Sequence, residues 1–179
     1  MHQFVKGEKN FVELLEKNKR RPSFQEIFMR HAYDWAQKSP CLRRHVGAII
    51  ADKDNVQISQ GYNGPPRGLP HCDEIGGCER AKQNIPSGQR HEICRAVHAE
   101  QNAILNAHRS NRNVIGATLY TFYHPCVMCA KTIINSGIGK VVFVGDYDDE
   151  LSKKMFKESK VVLERFSGVT PKGYTKFWG

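Results

Sequence analysis

The sequence predicts an α/β layered fold with a mixed sheet. A helical stretch leads into two strand-like runs joined by a short turn. After a gap, helical and strand periodicities then alternate in the order α-β-α-β-α-β. The gap itself, residues 63–95, fits neither period and is dense in Gly, Pro, Cys and His. A long stretch of this kind inside a compact domain is usually functional or held by a metal.

Each element has its own signal. Ser23-Phe24-Gln25-Glu26, just after Pro22, is a capping box. Phe24, Ile27, Phe28, His31, Ala32 and Trp35 recur at helical spacing, so 24–38 is a core-facing helix. His45 to Ala51 reads as a strand, Asp52 to Asn55 as a turn, and Val56 to Tyr62 as the returning strand of a hairpin. Beyond the insertion come a helix over 98–109, a strand over 117–122, a helix over 126–136 and a strand over 140–145. A helix near 149–158 and a strand over 160–166 complete the series, with no internal repeat and no low-complexity tract.

Residues 1–22 read as a basic N-terminal extension, 23–168 as the domain and 169–179 as a C-terminal tail. In the extension, Phe11, Val12, Leu14 and Leu15 suggest a short amphipathic helix, ended by Lys17, Lys19, Arg20, Arg21 and Pro22. Such a segment either contacts a nucleic acid or partner, or packs one apolar face on the domain.

The bulk numbers narrow the class. A chain of 179 residues is the size of one domain, and 40% hydrophobic content supports a real core. There is no 18-residue apolar run, which excludes a membrane-spanning helix. The N-terminus is charged and lacks the apolar middle of a secretory leader, so the protein is expected in the cytoplasm. Six cysteines then favour metal or redox chemistry over a disulfide framework. A net charge of +9 attracts anions: nucleic acid, an acidic surface or phosphorylated small molecules.

Pro125-Cys126-Val127-Met128-Cys129 lies where a strand ends and a helix begins. Free N–H groups there stabilise thiolates, and two thiolates at this spacing chelate one zinc ion. Alone, the motif also suits a thioredoxin-like redox pair. His98-Ala99-Glu100, at the start of another helix, resolves the choice. One imidazole and two thiolates make the three-ligand set of a catalytic zinc, which leaves a position for water. Glu100 is then the proton carrier beside it. His-X-Glu followed by Pro-Cys-X-X-Cys is the pattern of the zinc nucleobase deaminases, and this sequence resembles it at every fixed position.

The resemblance widens around those motifs. The stretches Cys41-Leu42-Arg43-Arg44-His45-Val46-Gly47-Ala48, Gly61-Tyr62-Asn63-Gly64 with the following Pro65 to Cys72, and Cys94 to Ile104 resemble the deoxycytidylate (dCMP) deaminase family. Thr118-Leu119-Tyr120 and Ile133-Ile134-Asn135-Ser136-Gly137-Ile138 do as well, so the likeness runs over about residues 23–165. It implies a three-layer α/β/α cytidine-deaminase-like fold with a five-stranded mixed sheet. It also implies hydrolysis of dCMP to dUMP and ammonia, which feeds thymidylate synthesis. Further implications are a homo-oligomer, commonly a hexamer, and dCTP and dTTP as effectors, with magnesium accompanying dCTP.

Carried over by residue, His98, Cys126 and Cys129 match the zinc ligands and Glu100 the proton shuttle. Asn63 matches an asparagine that bonds the sugar or base, although Asn-Gly is also an ordinary turn. Ala99, through its backbone, and Tyr123-His124 are the expected contacts to the cytosine. Arg43, Arg44 and Arg67 are candidates for a phosphate. Some members of the family carry a second, structural zinc. Here Cys41, Cys72, His91 and Cys94 are the expected quartet, with Cys78 as the first substitute.

Two other functions compete. A tRNA or single-stranded nucleic acid deaminase would use the basic charge, but the extension offers only Phe4 and Phe11 as stacking platforms. A non-catalytic zinc module would have no use for Glu100.

Overall fold

The computed structural model describes residues 21–86 and 88–168. The expected amphipathic helix around Phe11 and the tail 169–179 lie outside the described residues. Helix α1 spans Phe24–Ala36 and opens on the expected capping box, with Ser23 Oγ accepting from the Glu26 amide at 3.3 Å and the Glu26 carboxylate accepting from the Ser23 amide at 2.7 Å. Strands β1 (Gly47–Ala51) and β2 (Gln57–Tyr62) form the antiparallel hairpin, with Gly47 opposite Tyr62. The insertion contains only a short helix α2 (Glu79–Lys82) and a 3₁₀ turn at His91–Ile93. Then come α3 (Ala99–Arg109), β3 (Thr118–Tyr123), α4 (Val127–Asn135), β4 (Lys140–Gly145), α5 (Glu150–Ser159) and β5 (Val162–Arg165).

The sheet has five strands in the order β2-β1-β3-β4-β5. β3 pairs antiparallel with β1, whereas β3, β4 and β5 run parallel, so the sheet is mixed. β1 is buried on both sides, which explains its unbroken apolar run. Its Ile49 and Ala51 meet Phe28, Met29, Ala32 and Ala36 of α1 on one face. Its Ala48 and Ile50 join Ala103 and Ala107 of α3, Ile133 of α4 and Phe156 of α5 on the other. The result is three layers.

The pairing directions place four connections at one end of the sheet: 37–46, 63–98, 124–126 and 146–149. Ligands of open α/β sheets bind in crevices of this kind, beyond the carboxyl ends of parallel strands. Helix α3 is fixed closely to β2 as it enters that end. A Cβ on Gly61 would lie 2.3 Å from the Ala99 carbonyl oxygen and 2.4 Å from the Ala103 nitrogen, so only glycine fits. Ser59 Oγ donates to the Ala103 carbonyl at 2.8 Å, and Asn102 and Asn106 Nδ2 donate to the carbonyls of Tyr62 and Gln60 at 2.8 Å each. The N-terminus of α3 therefore has little freedom to move. Among the described residues no helix is long and apolar enough to cross a membrane.

Candidate active site and metal centre

Two helix N-termini converge at the crevice. His98 is the N-cap of α3 and Cys126 the N-cap of α4, both in extended backbone. Cys129 lies one turn into α4 and is fully buried. The Cys126 and Cys129 sulfurs are 3.4 and 3.3 Å from His98 Nδ1. Two ligands held tetrahedrally at the usual Zn–S and Zn–N lengths lie about 3.5 Å apart. The three donor atoms lie within 4.8 Å of one another, and no other His, Cys, Asp or Glu group among the described residues closes to that spacing. The neighbouring Cys129 thiol, and then the His98 ring, hold the Cys126 thiol down to about 4 against its burial. Cys129 is pushed well above the usual thiol range by its Cys126 neighbour and by burial. His98 is desolvated, yet the bond to Cys126 and the Glu100 charge raise its pKa overall. A thiolate with a thiol and an imidazole, all meeting at one point, is a donor set that suits zinc.

Glu100 sits beside the triple and outside it. It is 5% exposed, and burial pushes its carboxyl above the usual range. Oε1 accepts from Thr121 Oγ1 at 3.3 Å, and Oε2 lies 3.5 Å from Cys129 Sγ, which donates to it. A desolvated carboxyl raised above its usual range holds a proton more readily than a solvated one, as a group that both takes and returns protons must. Thr121 gave no sign of this role in the sequence; it is an inward position of β3 like its neighbours.

The metal loop is braced from the β4–α5 connection. Asp149 accepts from the Val127 amide at 2.8 Å and from the Ser152 amide at 3.0 Å, so one carboxylate caps both α4 and α5. Ser152 Oγ donates to the Pro125 carbonyl at 2.6 Å. Neither residue was singled out by the sequence, although Asp before a helix is a cap signal. His124 is buried with its ring edge-on to Phe143 and Phe156. Its Nδ1 donates to the Pro125 carbonyl at 3.0 Å, while Nε2 is buried with no partner.

The crevice above this floor is a partly open cavity. Of the expected contacts, Asn63, Ala99, Tyr123, His124, Arg43 and Arg44 all line it. Arg67 does not: it is exposed and donates to Asn106 Oδ1 at 3.1 Å, carried away by the turn after Gly64. The Asn63 amide is occupied on both ends, accepting from the Val46 amide at 2.8 Å and donating to the Arg44 carbonyl at 2.9 Å. It therefore holds the Arg44 loop, and each amide atom keeps one more hydrogen-bonding position. The Arg44 guanidinium stacks over the Tyr123 ring, 4.8 Å from its centre.

The insertion forms the remaining wall. Cys41, Cys72, Cys78 and Cys94 are free thiols, each partly buried. Burial raises the Cys72 pKa, and Cys78, Cys41 and Cys94 raise it further, so the four cluster electrostatically without closing to ligand spacing. His91 sits elsewhere: its Nε2 is 2.7 Å from the Tyr147 hydroxyl, and its ring meets the His98 ring edge-on at 5.0 Å. Arg80, which nothing in the sequence marked out, also lines the cavity.

With this geometry established, comparisons with known proteins agree. The sequence model described as the cytidine and deoxycytidylate deaminase zinc-binding region matches residues 22–145. A deoxycytidylate deaminase of Schizosaccharomyces pombe is 36% identical over 156 residues, covering 87% of this chain and 48% of that protein. The deoxycytidylate deaminase of Saccharomyces cerevisiae is 39% identical over 148 residues, covering 82% of this chain and 46% of that protein. The chain thus spans about half the length of these two relatives. The dCMP deaminase of cyanophage S-TIM5, solved in complex with dCMP and dUMP, superposes with a TM-score of 0.67 at 27% identity, covering 82% of this chain and 99% of that one. A His/Cys/Cys triple beside a buried glutamate, on a fold and a sequence shared with these proteins, places the chain in the cytidine and deoxycytidylate deaminase zinc-binding family.

Proposed function

We propose that this chain hydrolyses dCMP to dUMP and ammonia, and so supplies dUMP for thymidylate synthesis. The observation that carries the reading is buried Glu100 against the His98, Cys126 and Cys129 triple, in a cavity whose wall bears arginines. The relatives named deoxycytidylate deaminase and the dCMP- and dUMP-bound cyanophage enzyme support the same substrate.

His98, Cys126 and Cys129 would hold a zinc ion, which would supply Lewis acidity and lower the pKa of an attacking water. The protein's own groups do the rest. Water oxygen adds to C4 of the cytosine while Glu100 takes one of its protons and delivers it to N3. The second proton of that oxygen passes through Glu100 to the exocyclic nitrogen. The C4–N bond breaks, ammonia leaves, and the C4 carbonyl of dUMP forms. Thr121 keeps the Glu100 carboxylate aimed at the site through its hydroxyl. Family resemblance extends the proposal to a homo-oligomer, a hexamer, regulated by dCTP with magnesium and by dTTP. Six free cysteines suit the reducing cytoplasm.

The substrate test compares dCMP with deoxycytidine, with and without dCTP and magnesium. A charge-assisted contact is worth about 1.5–3 kcal/mol, or roughly tenfold to a hundredfold. We expect kcat/KM for dCMP at least about tenfold above that for deoxycytidine. Equal efficiency under all conditions defeats the dCMP reading. Turnover of a cytosine- or adenine-containing oligonucleotide alone replaces it with the polynucleotide deaminase.

We further propose that Cys41, Cys72, Cys78 and Cys94 hold a second, structural zinc. Cys78 takes the place first given to His91, because Tyr147 and His98 engage that ring. A closed four-ligand site can stand in for the core that this insertion lacks. Metal analysis is expected to find about two zinc ions per chain. Cys72→Ser should drop that to about one and lower the melting temperature before it touches the catalytic zinc. One zinc in the unaltered protein, with Cys72→Ser equally stable, removes the structural site.

A further inference from the structure

We propose that Arg80, on the short helix α2 of the insertion, is the main phosphate-binding and specificity-determining residue of the cavity, working with Arg44 on the facing loop; this rests on the substrate being a 5′-monophosphate. Three arginines line the cavity: Arg43, Arg44 and Arg80. Arg80 is the most deeply placed, only 7% exposed. A guanidinium taken out of water is costly unless an anion answers it. No carboxylate pairs with Arg80 among the described residues. Its Nη2 donates to the Pro86 carbonyl at 3.0 Å, and its Nε is buried with no partner at all. A buried, uncompensated cation in the wall of a cavity is a site prepared for an anion.

The location fits a nucleotide lying across the metal centre. Arg80 lines the same cavity as His91, His98, Glu100 and Tyr147, so it faces the space in front of the metal centre. Arg44 lines it too, with its guanidinium over the Tyr123 ring. Two guanidinium groups from different segments thus line one cavity. A phosphate of charge close to −2 is matched by two such forks. Arg44 is set by the amide of Asn63 and by Tyr123. Arg80 is set by the Pro86 carbonyl. Arg43 also leaves a buried Nη1 without a partner, but it is the more exposed residue. Its share of the contact is therefore the smaller.

The test measures kcat and KM for dCMP and for deoxycytidine in the zinc-loaded full chain and in Arg80→Gln, Arg80→Lys and Arg43→Gln. In Arg80→Gln the ratio of kcat/KM for dCMP over deoxycytidine is expected to fall about tenfold to a hundredfold, mostly through KM for dCMP. Arg80→Lys keeps a charge and a donor for Pro86 but loses the fork, and is expected to fall between Arg80→Gln and the unaltered chain. Arg43→Gln is expected to move the ratio less than Arg80→Gln. Melting temperature and zinc content are read in parallel. If Arg80→Gln does not fold, Arg80→Lys carries the test through the same ratio. A parallel loss on both substrates, with the ratio kept, shows that Arg80 only braces the insertion and overturns the proposal. So does a larger effect from Arg43. Failure of the monophosphate reading shows separately, as a lack of preference for dCMP in the unaltered chain.

Discussion

Glu100→Gln is expected to keep the catalytic zinc and the fold while activity falls by at least about 10⁴-fold, since single acid–base roles are worth about 10²–10⁴ and this one group serves successive proton transfers. Glutamine fills the same volume, and its amide can still meet Thr121 Oγ1, so the buried position stays packed and satisfied. What is lost is a group that exchanges protons. The carboxyl suits that task because burial has raised its pKa, which narrows the gap between holding a proton and releasing it. The metal does not depend on it, since the ligand triple is complete without Glu100. Zinc analysis, a melting curve and kcat on dCMP together decide the point. Zinc well below one per active site would make Glu100 a ligand, and activity near that of the unaltered chain would remove it from the mechanism.

The parts of this site that could be read from the sequence are those tied to helix starts. His98 and Cys126 cap their helices, and the residues they bring along, Glu100 and Cys129, follow within one turn. Local spacing therefore fixes most of the geometry, and only the meeting of the two helices had to be assumed. The sheet was legible for a similar reason, since β1 buried on both faces and half-buried β2 each leave a distinct pattern. The insertion was not legible. Its path is set by left-handed backbone at Gly68, Gly76, Gly77, Asn84 and Arg90 and by the bridge of Gly64 to Val97, none of which has a period. Arg67 and Arg80 show the consequence. Arg67 follows the Gly-Tyr-Asn-Gly stretch and reads as a mouth residue, but the chain turns it to Asn106. Arg80 has the pattern of a surface charge in a four-residue helix, and only the folding back of the insertion buries it. His91 likewise has chelating spacing to Cys94, whereas Tyr147, distant in sequence, claims its ring.

Cys129→Ser is expected to separate metal from fold more sharply than any other change. Cys129 is fully buried among Ala130, Ile133 and Ala103, so serine leaves only a small packing defect. As a zinc ligand, however, a hydroxyl is a poor replacement for a thiolate. The protein should lose about one zinc per chain. Activity on dCMP should fall below detection, a larger loss than in Glu100→Gln, because a water whose pKa no metal lowers gives almost no nucleophile at neutral pH. Added zinc should not restore activity. In the unaltered chain, removal of zinc by a chelator followed by its return should do so. The fold should stay close to the original, because Asp149 and Ser152 still hold the start of α4 and the Ala-rich face of α3 still packs on β2. Zinc content, far-ultraviolet circular dichroism and kcat make the comparison. Full zinc with full activity in Cys129→Ser would show that Cys129 is a core residue and that the ligand set lies elsewhere. Global unfolding would show that this ion, rather than the insertion's cysteines, is what the fold depends on.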